Sequence, residues 1–180
     1  MTESCGNASA TFLDTFRYLD ELARLARHGV KVHMEAALAA GNDGLIDAKT
    51  LAPRPDYWAA LLWRRLMGTT VLDAGPSREG LHLYAHCLRG HRGGVAILAI
   101  NNTRNQPTSI EIPSVAERYT LSARRLQQAR VDLNAIELGL KANGELPELR
   151  GVPTLRGTVV LVPASITFLA IAKAGNRACR

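Results

Sequence analysis

Few residues of this chain are of a type that could do chemistry, and the first of them is a carboxylate. Glu3 stands in the amino-terminal segment MTESCGNASA, whose lack of hydrophobic periodicity predicts a loop. A glutamate in such a loop is most often a solvated carboxylate. Its residue type alone therefore predicts no special role.

The histidines are the next candidates. His82 and His86 fall on one face of a predicted strand, with Tyr84 between them. At about 3.3 Å per residue this pair spans ~13 Å, which is too far to share a metal ion without a bend. We therefore expect surface histidines rather than ligands. His33 has no Asp or nucleophile beside it in the sequence, which favours a polar strand residue over a general base.

The cysteines show none of the close spacings of a zinc site. There are three, Cys5, Cys87 and Cys179, and an odd number by itself indicates free thiols. The segment Asn101-Asn102-Thr103 matches the N-glycosylation pattern, but we interpret it as a turn. We predict no metal and no cofactor.

Length and composition describe an ordinary globular chain. Its 180 residues, 47% hydrophobic and 21% charged, suffice for one domain, or a domain and a fragment, with a buried core. No apolar run reaches the ~18 residues of a membrane span, and no signal-peptide pattern is visible.

The charge of the chain bears on its partners. A net charge of +6 and a pI near 9.7 favour an acidic partner such as a polysaccharide, a nucleic acid or a membrane surface, and a soluble Arg-rich protein is the alternative. The basic residues are dispersed and are not interleaved with aromatic residues, so we predict no nucleic-acid binding.

The amino-terminal third predicts a helix, a strand and a second helix. Residues 11–28 carry a helical stripe of Phe12, Phe16, Leu19, Ala23 and Ala26, with Thr11 and Asp14 as a weak capping box and Gly29 as the end. A short strand follows at Val30–Met34, and a loop at 40–53. The second helix covers 55–67, with Pro55 in its first turn and Gly68 as its carboxyl-terminal cap. This αβα unit is typical of a piece of an α/β barrel.

From Thr69 the period changes to two. Alternation over 81–88 and an apolar run over Val95–Ile100 predict two strands, the second of them central. Further strands are predicted at Ser109–Ile112, Arg118–Arg124, Val131–Leu138, Thr158–Val162 and Ile166–Ala172, with a turn at Gly151-Val152-Pro153. Strands at this density without helices between them predict an antiparallel sandwich.

Two segments carry a resemblance to a known family. The stretch PRPDYWAALLWRRLMGTTVL, followed by LYAHCLRG, resembles the carboxyl-terminal part of heparanase-like enzymes, the family 79 glycoside hydrolases. In that family this helix closes a (β/α)₈ barrel before a β-sandwich begins. The resemblance thus implies an α+β chain, with a barrel fragment over 1–68 and an antiparallel β-sandwich over 69–180.

The resemblance also assigns residues. Thr2-Glu3-Ser4 matches the segment that carries the family's catalytic nucleophile, so Glu3 takes that position. The family holds the uronate carboxylate with a Gly-Gly pair, of which Gly6 remains. Asp43 stands where the family has a tyrosine, and Glu35-Ala36-Ala37 replaces polar residues. The family's catalytic acid lies on an earlier strand for which this chain has no matching segment.

The same match concerns the cysteines and the compartment. Cys87 and Cys179 match positions that form a disulfide in heparanase, which leaves Cys5 over. A disulfide-tied domain is typical of a secreted or periplasmic protein.

Two functions from different classes remain open. The first is the carboxyl-terminal part of a retaining β-glucuronidase or heparanase-like hydrolase, acting on acidic polysaccharides or glucuronides and inactive as this chain. The second is a non-catalytic β-sandwich module that binds glycans through a basic surface. In either case we expect the helical stripe of residues 11–28 to need cover from the second helix, or else to cause self-association.

Overall fold

A computed structural model of the chain describes residues 10–33, 38–39 and 44–180. This part is of the α+β class and contains two helices followed by antiparallel strands. The helices are α1 (Phe12–Arg27) and α2 (Pro55–Leu66), and neither is long and apolar enough to cross a membrane. The strands are β1 (Met67–Leu72), β2 (Leu81–Leu88), β3 (Val95–Asn101), β4 (Thr108–Ile112), β5 (Ala116–Ser122), β6 (Asp132–Leu133), β7 (Ile136–Glu137), β8 (Val152–Thr154), β9 (Gly157–Leu161) and β10 (Ser165–Ile171).

The chain divides into two compact units. The helical unit consists of Met1–Leu61 and Ser122–Leu149, and the strand unit of Leu62–Leu121 and Arg150–Arg180. Each unit thus takes two separate stretches of the sequence.

Helix α1 forms because its apolar residues recur at helical spacing. Phe12, Leu19 and Ala23 of the predicted stripe are fully buried and Phe16 and Ala26 are half-buried, so most of the stripe is covered. The predicted capping box is wrong, because Thr11 makes no side-chain cap hydrogen bond. The amide groups of Phe12 and Leu13 instead donate to backbone carbonyl oxygens of residues 128 and 126, at 2.9 and 2.8 Å. These acceptors satisfy amides that the first turn of a helix leaves without partners.

The predicted strand at Val30–Met34 is wrong over its described residues. Residues 30–33 are neither helix nor strand, Val32 is 70% exposed, and Met34 lies outside the described residues. A strand is stable only when a neighbouring strand takes up its backbone hydrogen bonds, and no described strand pairs with 30–33. The expected αβα unit is therefore two helices joined without a described strand.

The helical unit also contains a short hairpin that the sequence pattern did not predict. Instead of one strand at Val131–Leu138, β6 and β7 pair through a turn at Asn134 and Ala135, both of which have positive φ. Two consecutive residues with positive φ make a tight hairpin turn, so the chain reverses where the alternation suggested that it continues.

Helix α2 begins at Pro55, as predicted, and ends at Leu66, one residue earlier than predicted. The cap prediction for Gly68 is wrong, because Gly68 is the second residue of β1. A Cβ atom at this position would lie 2.4 Å from the backbone oxygen of Cys87. Glycine is therefore required here by the close approach of β1 and β2, not by a helix end.

The strand unit is built on an antiparallel sheet with the order β1-β2-β3-β10-β5, and β8 pairs with β5. The predicted apolar run lies in β3, at the centre, and all seven residues of β10 are buried. Leu98 on β3 is opposite Tyr84 on one side and Phe168 on the other.

The predicted turn at Gly151-Val152-Pro153 is wrong, since β8 occupies Val152–Thr154. Proline is tolerated there because β8 is an edge strand, which pairs with β5 and with no other described strand.

A second sheet pairs β4 with β9. Side chains from both sheets form one core cluster, which contains Leu81, Ala99, Ile112, Ala116, Val159, Leu161, Leu169 and Ile171. Alternation along β9 explains its part in this cluster, because Val159 and Leu161 point inward while Val160 is 55% exposed.

Candidate functional site

The structure does not describe the predicted catalytic and substrate-binding residues. Glu3, Gly6 and Asp43 lie outside the described residues, as do Cys5 and Glu35-Ala36-Ala37. The described residues nearest to them in sequence form two polar clusters of the helical unit, and the strand unit adds further candidates.

The first cluster follows position 43 and precedes α2. The buried guanidinium of Arg54 donates to the backbone oxygen of Gly44 at 3.1 Å and to the carboxylate of Asp47 at 3.2 Å. Asp47 also accepts hydrogen bonds from the backbone amides of Thr50 and Lys49 and from the Thr50 hydroxyl. These bonds, led by the Thr50 backbone amide, hold the pKa of Asp47 well below its usual range. The cluster fixes the start of α2 and offers no proton near neutral pH.

The second cluster joins the two helices of the helical unit. The Thr15 hydroxyl, on the buried face of α1, donates to the Asp56 carboxylate in the first turn of α2 at 2.6 Å. Next to it, the guanidinium of Arg17 makes two hydrogen bonds to the buried carboxylate of Asp14, at 2.8 and 3.2 Å. The carboxylates of Asp56 and Asp14 thus both accept hydrogen bonds from residues of α1.

His86 is the most constrained histidine among those described. The prediction that it is a surface histidine is wrong, because its side chain is 3% exposed. Its ring contacts Trp63 edge-to-face at 5.1 Å, and Nδ1 lies 2.7 Å from the Gly68 backbone oxygen. Nε2 is buried without a hydrogen-bond partner. Burial lowers the pKa of His86, so the ring is neutral at pH 7 and Nδ1 donates to Gly68.

Tyr119 is the second titratable group of the strand unit with a clear shift. Burial and the hydrogen bond from its hydroxyl to Glu117 Oε2, 2.6 Å away, raise the pKa of Tyr119 to about 12. Such a phenol stays protonated at all physiological pH values. Within the described ranges no three His, Cys, Asp or Glu side chains are grouped so that they could hold a metal ion.

Asn101 ends β3 and is not accessible for glycosylation. It is fully buried, and its Nδ2 donates to the backbone oxygens of Leu161 and Val162 at 3.1 and 2.9 Å. Its Oδ1 accepts hydrogen bonds from the amide and the hydroxyl of Thr103. The hydrogen bonds of Asn101 therefore hold the end of β3 against the residues that precede β10.

Cys87 on β2 and Cys179 in the carboxyl-terminal tail form a disulfide, with their Cα atoms 5.2 Å apart. This is the pairing that the resemblance implies, and it lies within the usual 4.4–6.8 Å. The disulfide and the hydrogen bond from the Asn176 amide to the Gly93 oxygen hold the tail on the turn between β2 and β3.

Charge is unevenly distributed between the two units. The strand unit holds twelve Lys and Arg residues against four Asp and Glu, whereas the helical unit holds ten against twelve. The whole excess of positive charge therefore belongs to the strand unit. An acidic partner would be attracted to that unit.

Plant and animal proteins match the chain in sequence. Heparanase-like protein 1 of Arabidopsis thaliana is 43% identical over 109 residues, which are 59% of this chain and 20% of that protein. Baicalin-beta-D-glucuronidase of Scutellaria baicalensis is 34% identical over 152 residues, 80% of this chain and 29% of that protein. Inactive heparanase-2 of Mus musculus is 29% identical over 210 residues, 100% of this chain and 35% of that protein.

By sequence the chain is similar to heparanase-like proteins over most of its length. It spans between 20% and 35% of the length of these relatives. No protein-family model matches the chain.

Solved glycosidases have a similar fold. A family 51 arabinofuranosidase from Xanthomonas axonopodis pv. citri matches with a TM-score of 0.54 and 13% identity, over 91% of this chain and 36% of that one. A family 30 subfamily 8 xylanase from Clostridium acetobutylicum matches with a TM-score of 0.55 and 16% identity, over 91% and 40%. At these identities the similarity shows the fold alone.

Sequence reasoning missed the best-defined polar sites of this heparanase-like chain. The Asp47–Arg54 pair had a local signal, since an Asp followed by Lys49 and Thr50 is a common turn pattern. The contact of His86 with Trp63 had none, because it joins residues 23 positions apart.

Proposed function

We propose that the chain is the carboxyl-terminal part of a retaining β-glucuronidase or heparanase-like hydrolase, and that it has no turnover by itself. The observation that carries the proposal is its 34% identity to a β-glucuronidase over 80% of its own length. A retaining glycosidase needs two carboxyl groups about 5–5.5 Å apart, one as nucleophile and one as acid. Glu3 takes the nucleophile position by resemblance, and no segment of this chain matches the one that carries the acid.

The proposal includes a finer description of the fold. Helices α1 and α2 are the last helices of a (β/α)₈ barrel that covers 1–68, and the strands of 69–180 are the antiparallel sandwich that follows it. In support, strands alone follow Leu66, and two antiparallel sheets share one core cluster. The similarity to solved glycosidases over 91% of the chain agrees with this assignment.

The substrate class is acidic glycans that contain glucuronic acid. Gly6 would help to hold the uronate carboxylate, whereas the negative charge of Asp43 would repel it. A site with these two residues binds glucuronides weakly, which agrees with a chain that does not turn over. In the complete hydrolase the partner is an acidic polysaccharide or a glucuronide.

The compartment and the association state follow from two features. The disulfide between Cys87 and Cys179 supports a secreted or periplasmic protein, because such bonds persist in oxidising compartments. Val30 and Val32 are 43% and 70% exposed after α1, and these two exposed apolar side chains support self-association of the isolated chain.

The second candidate is a non-catalytic module that binds glycans through a basic surface. It is favoured by the concentration of positive charge in the strand unit. One relative that matches the full length of the chain is named inactive heparanase-2. By its name, this relative has a similar sequence without catalytic activity.

Hydrolysis of an aryl β-glucuronide by the purified chain tests the proposal. We expect no release of the aryl group above the buffer rate, because the general acid contributes about 10²–10⁴ in rate and no segment of this chain matches the one that carries it. Turnover that disappears in Glu3→Gln would contradict the proposal. Glycan binding without turnover would favour the second candidate.

A further inference from the structure

An open pocket of about 300 Å³ lies between the turn that joins β2 to β3 and the carboxyl-terminal tail. Its charged lining consists of Arg92 from the turn and Arg177 and Arg180 from the tail. All three side chains are exposed, and none makes an ion pair or side-chain hydrogen bond within the described part of the chain. We call this site the arginine pocket.

The backbone holds these arginines in one place. The Gly93 amide donates to the Cys179 oxygen, and the Asn176 amide donates to the Gly93 oxygen at 3.0 Å. A Cβ atom at Gly93 would lie 3.8 Å from the Cα of Gly175, so the turn and the tail are in van der Waals contact. With the disulfide, these contacts leave only the side chains of the three arginines to be ordered when a ligand binds.

The chemistry of the lining selects an anion with several oxygen atoms. A guanidinium donates two parallel hydrogen bonds to a carboxylate or to a sulfate, and it is weakly hydrated. Three such groups around one pocket repel each other, and an anion between them relieves this repulsion. The excess of positive charge over the whole strand unit attracts a polyanion from a distance.

We propose that the arginine pocket binds a sulfate or carboxylate group of an acidic glycan chain. The choice of a glycan as the source of that group rests on the proposed function. The pocket is built entirely from the strand unit. It therefore binds the glycan whether or not the nucleophile position is functional.

The test uses the full chain and fluorescent heparin fragments as the sulfated probe. The pocket variant is R92A/R177A/R180A, and the matched control is R78A/R104A/R156A, three exposed arginines of the same unit. Both variants lose the same charge, and thermal midpoints check that both fold. We expect the pocket variant to bind at least tenfold more weakly with a smaller dependence on salt, and the control to stay within threefold. Equal losses in the two variants, or no loss in either, would overturn the proposal.

Further arms identify the source of the anion and separate this inference from the proposed function. Displacement of heparin by unsulfated hyaluronan at equal mass would assign the carboxylate, and failure of hyaluronan would assign the sulfate. Displacement by inorganic sulfate at the same sulfate concentration would show a free-anion site and would overturn the glycan assignment. Aryl glucuronide turnover, measured on the same samples, would contradict the proposed function and leave the comparison of the two variants unchanged.

Discussion

The Nδ1 atom of His86 lies 2.7 Å from the backbone oxygen of Gly68, while Nε2 of the same ring is buried without a partner. The neutral ring fits this site because it donates one proton to Gly68 and keeps its other nitrogen uncharged. A protonated ring would place a positive charge and a second donor in an apolar environment beside Trp63.

The first prediction is that stability falls in mild acid because of His86. Burial lowers its pKa in the folded state, so below about pH 6.5 the unfolded chain binds more protons than the folded one. The free energy of unfolding therefore decreases as the pH falls through 6.5, until the folded-state pKa is reached. His86→Phe should flatten this part of the profile, measured by urea unfolding between pH 7.5 and 5. The exposed control His91→Gln should retain the decrease, and an unchanged profile in His86→Phe would refute the assignment.

The second prediction concerns Asp47, whose pKa is held low by the Thr50 amide and other donors including Arg54. An acid with a depressed pKa stabilises the fold above its ordinary pKa, and this contribution is lost as the pH falls below that value. Asp47→Asn should lower the thermal midpoint at pH 7, because buried Arg54 loses its carboxylate. The difference from wild type should shrink toward pH 3. Asp73→Asn, in an exposed turn, is the control and should change stability by less than about 0.5 kcal/mol.

The third prediction is that Gly68→Ala is strongly destabilising. The added Cβ atom would lie 2.4 Å from the Cys87 oxygen, which is backbone and cannot move alone. We expect a loss of more than about 2 kcal/mol in chemical denaturation. Gly139→Ala is the matched control, since a Cβ atom there meets nothing within 4 Å. Comparable effects in the two variants would show that β1 does not approach β2 as described.

The fourth prediction is that thiol counting under denaturing, non-reducing conditions finds one free cysteine, Cys5. Cys87 and Cys179 are 92 positions apart, and a loop of this length gives a disulfide a stabilisation of about 4.6 kcal/mol in the chain-entropy model. The double variant C87A/C179A should lose a stabilisation of that order. Three free thiols in protein purified from an oxidising compartment would contradict the pairing.

Sequence patterns predicted the centre of the strand unit better than its edges. The apolar run of β3 and the alternation of β2 are local signals, and both strands form where they were expected. The sequence did not predict β1 because a glycine after a helix has the pattern of a carboxyl-terminal cap. The pairing of β1 with β2, which brings Gly68 close to Cys87, is visible only in the structure. β8 was missed because Pro153 is typical of a turn, although an edge strand tolerates it.

The failures in the helical unit have a different cause. The strand at Val30–Met34 was predicted from local composition, but a strand depends on a partner that composition does not specify. The assignment of Ser122–Leu149 to the helical unit depends on contacts distant in sequence, such as the bond from the Phe12 amide to residue 128. The site residues Glu3, Gly6 and Asp43 came from the resemblance, because isolated residue types carry no signal for a nucleophile.

Our central proposal is that Glu3 takes the position of the nucleophile and that no segment of this chain matches the one that carries the acid. Complementation tests this proposal most directly. The chain is co-expressed with the amino-terminal part of baicalin-beta-D-glucuronidase that this chain does not match, and the complex is isolated by size exclusion. Aryl glucuronide hydrolysis by the complex is then measured for wild type and for Glu3→Gln, with either part alone as the control. We predict turnover in the wild-type complex only, since it alone combines both carboxyl groups. A stable complex without turnover, or equal turnover in Glu3→Gln, would contradict the account.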